Sequence, residues 1–516
     1  MIKIVTAAQM REIDRRAIGE TGVPGSTLME NAGLAVVKTI RDRIPDLRKV
    51  RVNIFAGKGN NGGDGFVTAR HLLNMGAEPT VFLATHKDEV KGDAKLNLDA
   101  FAAMGGRVKE FTSEKHIHNF KLKFMHTTVV VDALFGTGLT SAVTGFFTEI
   151  LDVMNGQGKL KVAVDIPSGV NADSGVIPGA HFTADVTVTF GLPKIGLVTY
   201  PARAAAGELV IADISIPRKV LEESPFAALL PEIADIKRML PKRAMDGHKG
   251  TFGHLLIGAG STGMGGAAAL CSLAALRMGT GLVTAALPSG LVGPFETGVM
   301  EVIARPLAQT ESGSIASDAA DIFIQAAGAM QAVILGPGLS THPSTAAFAK
   351  RAVAEIEAPM VVDADGLNCL GHGADIIKNR TAPTVITPHP GEMARLTGAG
   401  VDEIQSDRIG AALALAGQSG AVVVLKGAGT VIATPDGKAY VNPTGNHGLA
   451  CAGTGDVLAG MIGGLLAQGV NAENAAVAGV YLHGLAADIF AKEHGDPRGL
   501  IASDLIKLLP DVFGRL

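Results

Sequence analysis

The segment Ala450-Cys451-Ala452-Gly453-Thr454-Gly455-Asp456 runs directly into the apolar stretch Val457 to Leu466. This pattern reads as a Gly-rich turn feeding a helix, so backbone N–H groups and the positive end of the helix dipole converge beside a carboxylate. Such a turn can hold a phosphoryl group while Asp456 takes the proton from an attacking hydroxyl. The competing reading is a close-packed turn in which Asp456 is an ordinary first-turn aspartate.

A second constellation lies far upstream. Gly57-Lys58-Gly59-Asn60-Asn61-Gly62-Gly63-Asp64-Gly65 follows the β-rich run VRVNIFAG and precedes a helix expected from about Phe66. Its glycines must be small or take positive φ, which brings main-chain amides close to a ligand, while Asn60, Asn61 and Asp64 supply oxygens. Phosphate and a monovalent cation both suit it. Later strands end in similar fashion: VVVDALFGTGL carries Asp132 and a second Gly-rich loop from Gly136, and VAVDIPSGV carries Asp165 and Ser168. An aspartate after an apolar strand is often only a helix cap, but carboxyl ends of neighbouring parallel strands share one crevice, where three such loops would converge.

The second half has its own set. Gly258-Ala259-Gly260-Ser261 through Gly266-Ala267-Ala268 follows a strand and opens a helix, as a substrate-phosphate loop does, and Gly336-Pro337-Gly338-Leu339 ends another strand. Thr387-Pro388-His389-Pro390-Gly391-Glu392 brackets a histidine with prolines, which restricts its backbone and is expected to aim the imidazole at the crevice. Lys426-Gly427-Ala428-Gly429-Thr430 bends between two β runs where a nucleotide's phosphate or ribose can lie.

The elements that must position these residues alternate strand and helix. From Lys49 to about Asp213 the β-rich runs VRVNIFAG, PTVFLAT, TVVVDALFG, KVAVDIPSG, DVTVTFG and ELVIADI are separated by helical segments, which implies βαβ units and a parallel sheet. Two amphipathic helices, about Thr6 to Glu20 and Ser26 to Arg43, precede them. Between Ile216 and Lys249 charge increases and Pro217, Pro225, Pro231 and Pro241 punctuate the chain, as in a linker with some helix. A second alternation then runs through TFGHLLIGAG, GLVTAAL, AVILGPG, PMVVDAD, TVITPHP and AVVVLKG, followed by a hairpin turning at Asp436-Gly437 and two long helices, near Gly453 to Ala467 and Ala472 to Ala491.

With 516 residues the chain exceeds one hydrophobic core. Apolar residues at 47%, charged residues at 18% and 66 glycines fit an α/β protein with many strand-to-helix turns, and the low charge suggests buried subunit contacts in a homo-oligomer. A net charge of −4 gives no footprint for nucleic acid or membrane. The cysteines Cys271, Cys369 and Cys451 have neither zinc nor redox-pair spacing, and neither a signal core nor an uninterrupted apolar stretch of membrane-spanning length is visible, so a cytoplasmic protein is expected.

On these motifs residues 1–217 resemble the epimerase domain of NAD(P)H-hydrate repair enzymes, and residues 246–516 resemble their dehydratase domain, with 218–245 as linker. The resemblance spans essentially the whole chain, in the order found in the bifunctional bacterial enzymes. It implies an α/β fold with an amino-terminal Rossmann-like three-layer sandwich and a carboxy-terminal ribokinase-like domain. It further implies that Asn60, Asn61, Gly62, Gly63 and Asp64 contact the hydrated dinucleotide, that Gly136, Thr137, Gly138, Leu139, Thr140, Ser141 and Ala142 line the substrate loop, and that Asp165 binds the damaged nicotinamide and transfers the proton. Asn61, Asp132 and Ser168 are the implied potassium ligands. In the second domain Ala267, Gly338, His389 and Asp456 face the substrate, Lys426, Gly427, Ala428, Gly429, Thr430 and Gly455 hold the adenine nucleotide, and Asp456 is the base. Four positions depart from the family pattern: Ser141 stands where many relatives have arginine, Ala452 where glycine is usual, and His447 and Leu449 where His447-Gly448-Leu449 replaces the more common Pro-Gly-Met.

The implied activity is repair of hydrated NADH and NADPH: epimer exchange in the first domain and dehydration of the S hydrate in the second, with Mg²⁺ and ADP, or else ATP, as phosphoryl donor. One rival is a small-alcohol kinase of the ribokinase type with a non-catalytic amino-terminal binding domain, since the GTGD turn serves that chemistry equally well. The other is a binding scaffold of the kind found in RNA decay, against which the set Asp64, Asp132, Asp165 and Ser168 and the unremarkable charge both argue.

Overall fold

The computed structural model describes residues 1–113, 116–117, 127–139, 141–372 and 374–516, and divides into two compact units, Lys3–Ala227 and Ala228–Leu516, the latter taking in Met1 and Ile2. In the first unit seven parallel strands run from edge to edge in the order Arg107–Glu110, Glu78–Leu83, Arg51–Ala56, Val129–Ala133, Leu160–Val164, Val186–Phe190 and Glu208–Ala212. This is the Rossmann-type order, in which strand direction of growth reverses between Arg51–Ala56 and Val129–Ala133 and opens a crevice at their carboxyl ends.

Alternate strand residues serve opposite faces. Phe55, Val130 and Ala163 pack with Ile150, Leu151 and Met154 of the helix Phe146–Asn155. On the other face the helix Asn60–Asn74 lies so close that a Cβ at Gly65 would stand 2.7 Å from that of Ala133 and 3.4 Å from Ile54 Cγ2. Helix, sheet and helix make the three layers.

The helix after the first Gly-rich string begins at Asn60, six residues before the Phe66 start that the sequence suggests. Its glycines are required for closeness, not for positive φ. A Cβ at Gly62 would lie 2.0 Å from the Gly57 carbonyl oxygen, and one at Gly63 would lie 2.6 Å from Met29 Cε. Asn60 to Asp64 are therefore the first turn of a helix jammed against the strand it follows.

In the second unit the strands run Ala228–Leu230, Ala439–Val441, Val431–Ala433, Val422–Leu425, Thr384–Ile386, Met360–Val362, Ala332–Leu335, His254–Gly258, Leu282–Pro288 and Ile303–Leu307. From Val422–Leu425 onward they are parallel; the hairpin at Asp436-Gly437 forms as expected, with Val431–Ala433 antiparallel to both neighbours. One face packs Leu255, Ile257, Ile334, Val361 and Val385 against the helices Gly265–Arg277, Thr454–Ala467 and Ala472–His494. On the other face Phe323, from Ala320–Ala327, stands over Gly258 and meets Phe348 of Pro343–Glu355. Ala472–His494 is long and apolar enough to cross a membrane, yet 78% of its apolar window is buried, as in a core helix.

The expected linker 218–245 is not structureless. Arg218–Glu223 is a helix of the first unit, while Ala228–Leu230 joins the second sheet beside Tyr440 and Ile233–Met239 forms a helix there.

Gly62→Ala should destabilise the first unit by roughly 1–3 kcal/mol through overpacking. Gly59→Ala, with open space around the added methyl and an ordinary φ of −90°, should stay within about 0.5 kcal/mol. Chemical unfolding of both variants checks this, and equal stabilities would contradict it.

Candidate functional site

At the strand ends of the first unit lies a cavity of about 840 Å³, lined by Asn60, Asn61, Asp64, Gly136, Thr137, Gly138, Leu139 and Asp165 among others. Gly62 and Gly63 sit behind its wall as the packing glycines, Ser141 and Ala142 are absent from its lining, and Thr140 falls outside the described residues.

Asp165 follows the strand Leu160–Val164 in left-handed backbone, φ 63°, a conformation that side chains other than glycine seldom adopt and that concentrates at functional sites. Its Oδ1 accepts from Lys194 Nζ at 2.5 Å, Thr189 Oγ1 at 3.1 Å and Phe190 N–H at 3.2 Å. Lys194 is 1% exposed. Asp64, sealed among carboxylates, is pushed well above the usual carboxylate range by burial first and then by the charges of Asp165 and Asp14, with Lys194 opposing.

Asp132 and Ser168 clasp two strand ends together. Asp132 Oδ1 accepts from the Ser168 hydroxyl and Oδ2 from the Ser168 N–H, both at 2.7 Å, and the Ser168 oxygen accepts from Phe135 N–H at 3.0 Å. Burial raises the Asp132 carboxyl to about 6 despite these bonds. Asn61 donates to the Phe135 carbonyl at 2.9 Å, which leaves its buried Oδ1 without a partner.

In the second unit the Gly-rich turn is built as its sequence suggests: Gly453 has φ 89°, and Asp456 stands in the first turn of Thr454–Ala467. Burial, with Asp363 and Asp365 adding to it and Lys426 opposing, raises Asp456 to about 6. Lys426 Nζ donates to Asp363 Oδ1 at 2.7 Å, lies 3.6 Å from Glu392 Oε2, and would be 3.7 Å from a Cβ on Gly455. Its ammonium thus reaches the turn. The Lys426–Thr430 loop closes with Thr430 Oγ1 donating to the Gly427 carbonyl at 2.9 Å, and Ala428 and Gly429 complete the bend. Gly338, at φ 60°, would bring a Cβ within 3.0 Å of Ala267, so these two positions meet.

His389 differs from expectation. Its Nδ1 accepts from Gly391 N–H at 3.0 Å and Glu392 N–H at 3.3 Å, so the bracketed ring caps the helix Pro390–Thr397, with half its surface exposed. Asp14, Lys194, Asp363 and Glu392 were not singled out from the sequence. Asp363 shows the same signal as Asp132 and Asp165, an acid closing an apolar strand, and Glu392 lies in the Thr387 to Glu392 motif; Asp14 and Lys194 have no local signature.

Two α/β units thus each carry a glycine-rich turn and buried acids near the carboxyl ends of parallel strands. A family model described as YjeF-related protein N-terminus matches residues 25–196, and one described as NAD(P)H-hydrate dehydratase matches residues 255–511. The bifunctional NAD(P)H-hydrate repair enzyme Nnr of Moorella thermoacetica is 43% identical over 99% of this chain and 97% of its own length. The protein of the same name from Thermofilum pendens is 41% identical over 100% of this chain and 97% of its own. Among solved structures, the ADP/ATP-dependent NAD(P)H-hydrate dehydratase of Bacillus subtilis, co-crystallised with ATP/Mg²⁺, is 34% identical over 56% of this chain and 98% of its own, with a TM-score of 0.48. The chain belongs to the family of bifunctional NAD(P)H-hydrate repair enzymes. The fold class is the expected one, Rossmann-like then ribokinase-like, and relatives matched from end to end do not favour the small-alcohol kinase reading.

Lys194→Met should cost about 3–5 kcal/mol, because it strands a largely buried carboxylate. A loss below about 1 kcal/mol in denaturant unfolding would show that Asp165 is well solvated without its lysine.

Proposed function

We propose that residues 1–217 exchange the two epimers of NADH or NADPH hydrated at the nicotinamide ring, and that residues 246–516 dehydrate the S epimer with ADP as phosphoryl donor. What supports the second assignment most is Asp456, a desolvated carboxylate at a helix N-terminus beside the Lys426 ammonium. It takes the proton of the ring hydroxyl as that oxygen attacks the donor's terminal phosphorus, while the turn amides and Lys426 receive the phosphoryl charge. The phosphate ester is a far better leaving group than hydroxide: the ring nitrogen's lone pair expels it to form a C=N bond, and loss of a proton from the adjacent ring carbon returns those electrons to nitrogen and forms the C=C bond of the dihydronicotinamide.

Mg²⁺ would be held by the nucleotide's phosphates, and the buried Asp363 Oδ2, which has no hydrogen-bond partner, is a hard oxygen donor of the type it takes. Bound there it supplies charge neutralisation between the phosphates. In the first unit the unpartnered Asn61 Oδ1, with Asp132 and Ser168, fits a potassium ion, which supplies fixed positive charge near the dinucleotide. Gly427, Ala428, Gly429, Thr430 and Gly455 form the proposed nucleotide cradle, and Ala267, Gly338 and the free edge of His389 bound the hydrate.

Asp456→Asn should lower dehydration about a hundredfold or more and leave epimer exchange intact. The wild-type dehydration rate should fall as pH drops through about 6, where Asp456 takes up its proton; a flat profile with near-normal Asp456→Asn activity would reduce Asp456 to a helix cap. Epimer exchange should depend on potassium and weaken in Asp132→Ala, and equal rates in potassium, in lithium and after cation removal would reject the ion. Initial dehydration rates should be higher with saturating ADP than with ATP, with AMP accumulating; a clear ATP preference would overturn the donor assignment alone.

A further inference from the structure

The cavity of the first unit holds a carboxylate that the fold leaves unused. Met10, Arg11, Asp14 and Ile18 of the helix Ala7–Thr21 line it, at the spacing of one helical face. Asp14 shares this cavity with Asp165 and Asp64, and feels the charges of both Lys194 and Asp165. Lys194 cannot satisfy it. An ammonium has three N–H donors, and those of Lys194 go to Asp165 Oδ1 at 2.5 Å, Thr189 Oγ1 at 3.1 Å and the Phe190 carbonyl at 3.3 Å. Among the described residues no side chain or backbone N–H bonds the Asp14 carboxyl. A half-buried carboxylate without a partner costs stability, and this one lines the cavity, where a ligand can reach it.

Inverting a carbinol carbon by loss and return of water needs two proton-handling groups. On one side the C–O bond breaks as an acid gives its proton to the departing oxygen, and water leaves while the ring nitrogen's lone pair forms a C=N bond. On the other side water adds to that carbon, the C=N electrons return to nitrogen, and a base takes the proton. The reverse reaction exchanges the roles, so each group needs a carboxyl oxygen left free to give and take a proton; the internal bonds of Asp165 all fall on Oδ1, and among the described residues none goes to Oδ2. Asp165, from the strand-end turn, supplies one. We propose that Asp14, which shares the cavity with Asp165, is the second proton donor and acceptor in epimer exchange; this rests on the epimerase reading of the cavity. Burial raises Asp14 to about 6, with Asp165 adding and Lys194 opposing, which suits a group that must both give and take a proton near neutrality. Asp64 is a poorer candidate, since it is only 8% exposed and burial pushes its carboxyl well above the usual carboxylate range.

The test uses the full-length chain and purified R hydrate without nucleotide, following R to S conversion by chromatography for wild type, Asp14→Asn and Asp14→Glu. Asp14→Asn should lower kcat for exchange about a hundredfold with KM within about threefold, while Asp14→Glu recovers part of the rate. Dehydration of S hydrate by Asp14→Asn should be unchanged. Its unfolding temperature should equal or exceed that of wild type, because an unpaired desolvated charge has been removed; a lower temperature would mean that Asp14 is a structural partner and would overturn the assignment. Exchange by Asp14→Asn within threefold of wild type would overturn the role of Asp14 alone, as would a loss confined to KM. Absence of exchange in wild type would overturn the epimerase reading and this inference with it.

Discussion

In both units an aspartate at the end of a parallel strand is held against a buried lysine, and the candidate site is arranged around that pair. The same device appears twice. Asp165 is held by Lys194 at 2.5 Å, and Asp363 by Lys426 at 2.7 Å, with each lysine largely buried. Removing two charges from water costs several kcal/mol per ion, and close geometry with further hydrogen bonds is needed to offset it. Thr189 and Phe190 N–H supply those bonds to Asp165, and Thr387 Oγ1 donates to Asp363 Oδ1 at 2.6 Å. The neighbouring acids Asp14, Asp64 and Asp456 lack such tethers, and burial raises the proton affinity of each, so an anchored carboxylate in each unit is accompanied by at least one acid that holds its proton more tightly than usual.

Glycine placement makes the crevices possible by bringing backbone against backbone. Gly62 permits the first turn of Asn60–Asn74 to sit on the Gly57 carbonyl, and Gly336 permits its chain to approach the Asp363 carbonyl, where a Cβ would stand 1.8 Å away. Asp132, Asp165 and Asp363 therefore stand at strand ends and Asp64 and Asp456 in first helical turns.

Much of this was legible in the chain. Long apolar runs such as VVVDALFG and PMVVDAD become strands, and the acids that end them lie at the crevices. Short or polar edge strands escaped notice: Arg107–Glu110 alternates charge, Ala228–Leu230 has three residues, and Ile303–Leu307 contains Pro306. Lys194 and Asp14 were invisible for a different reason. A lysine in the loop after Phe190 and an aspartate in an amphipathic helix look like ordinary solvated charges until the fold buries them beside Asp165. The prolines around His389 signalled restriction correctly, but the restricted ring serves first as a helix cap.

Whether two separable sites act in sequence is decided by complementation in trans. Asp165→Asn and Asp456→Asn chains, each supplied with R hydrate, nucleotide, Mg²⁺ and potassium, are assayed alone and mixed by recovery of reduced-nicotinamide absorbance. The account predicts that each variant alone regenerates NAD(P)H slowly and that the mixture restores a rate near half that of wild type at equal total protein. A mixture as slow as the slower variant, with both proteins folded, would contradict it.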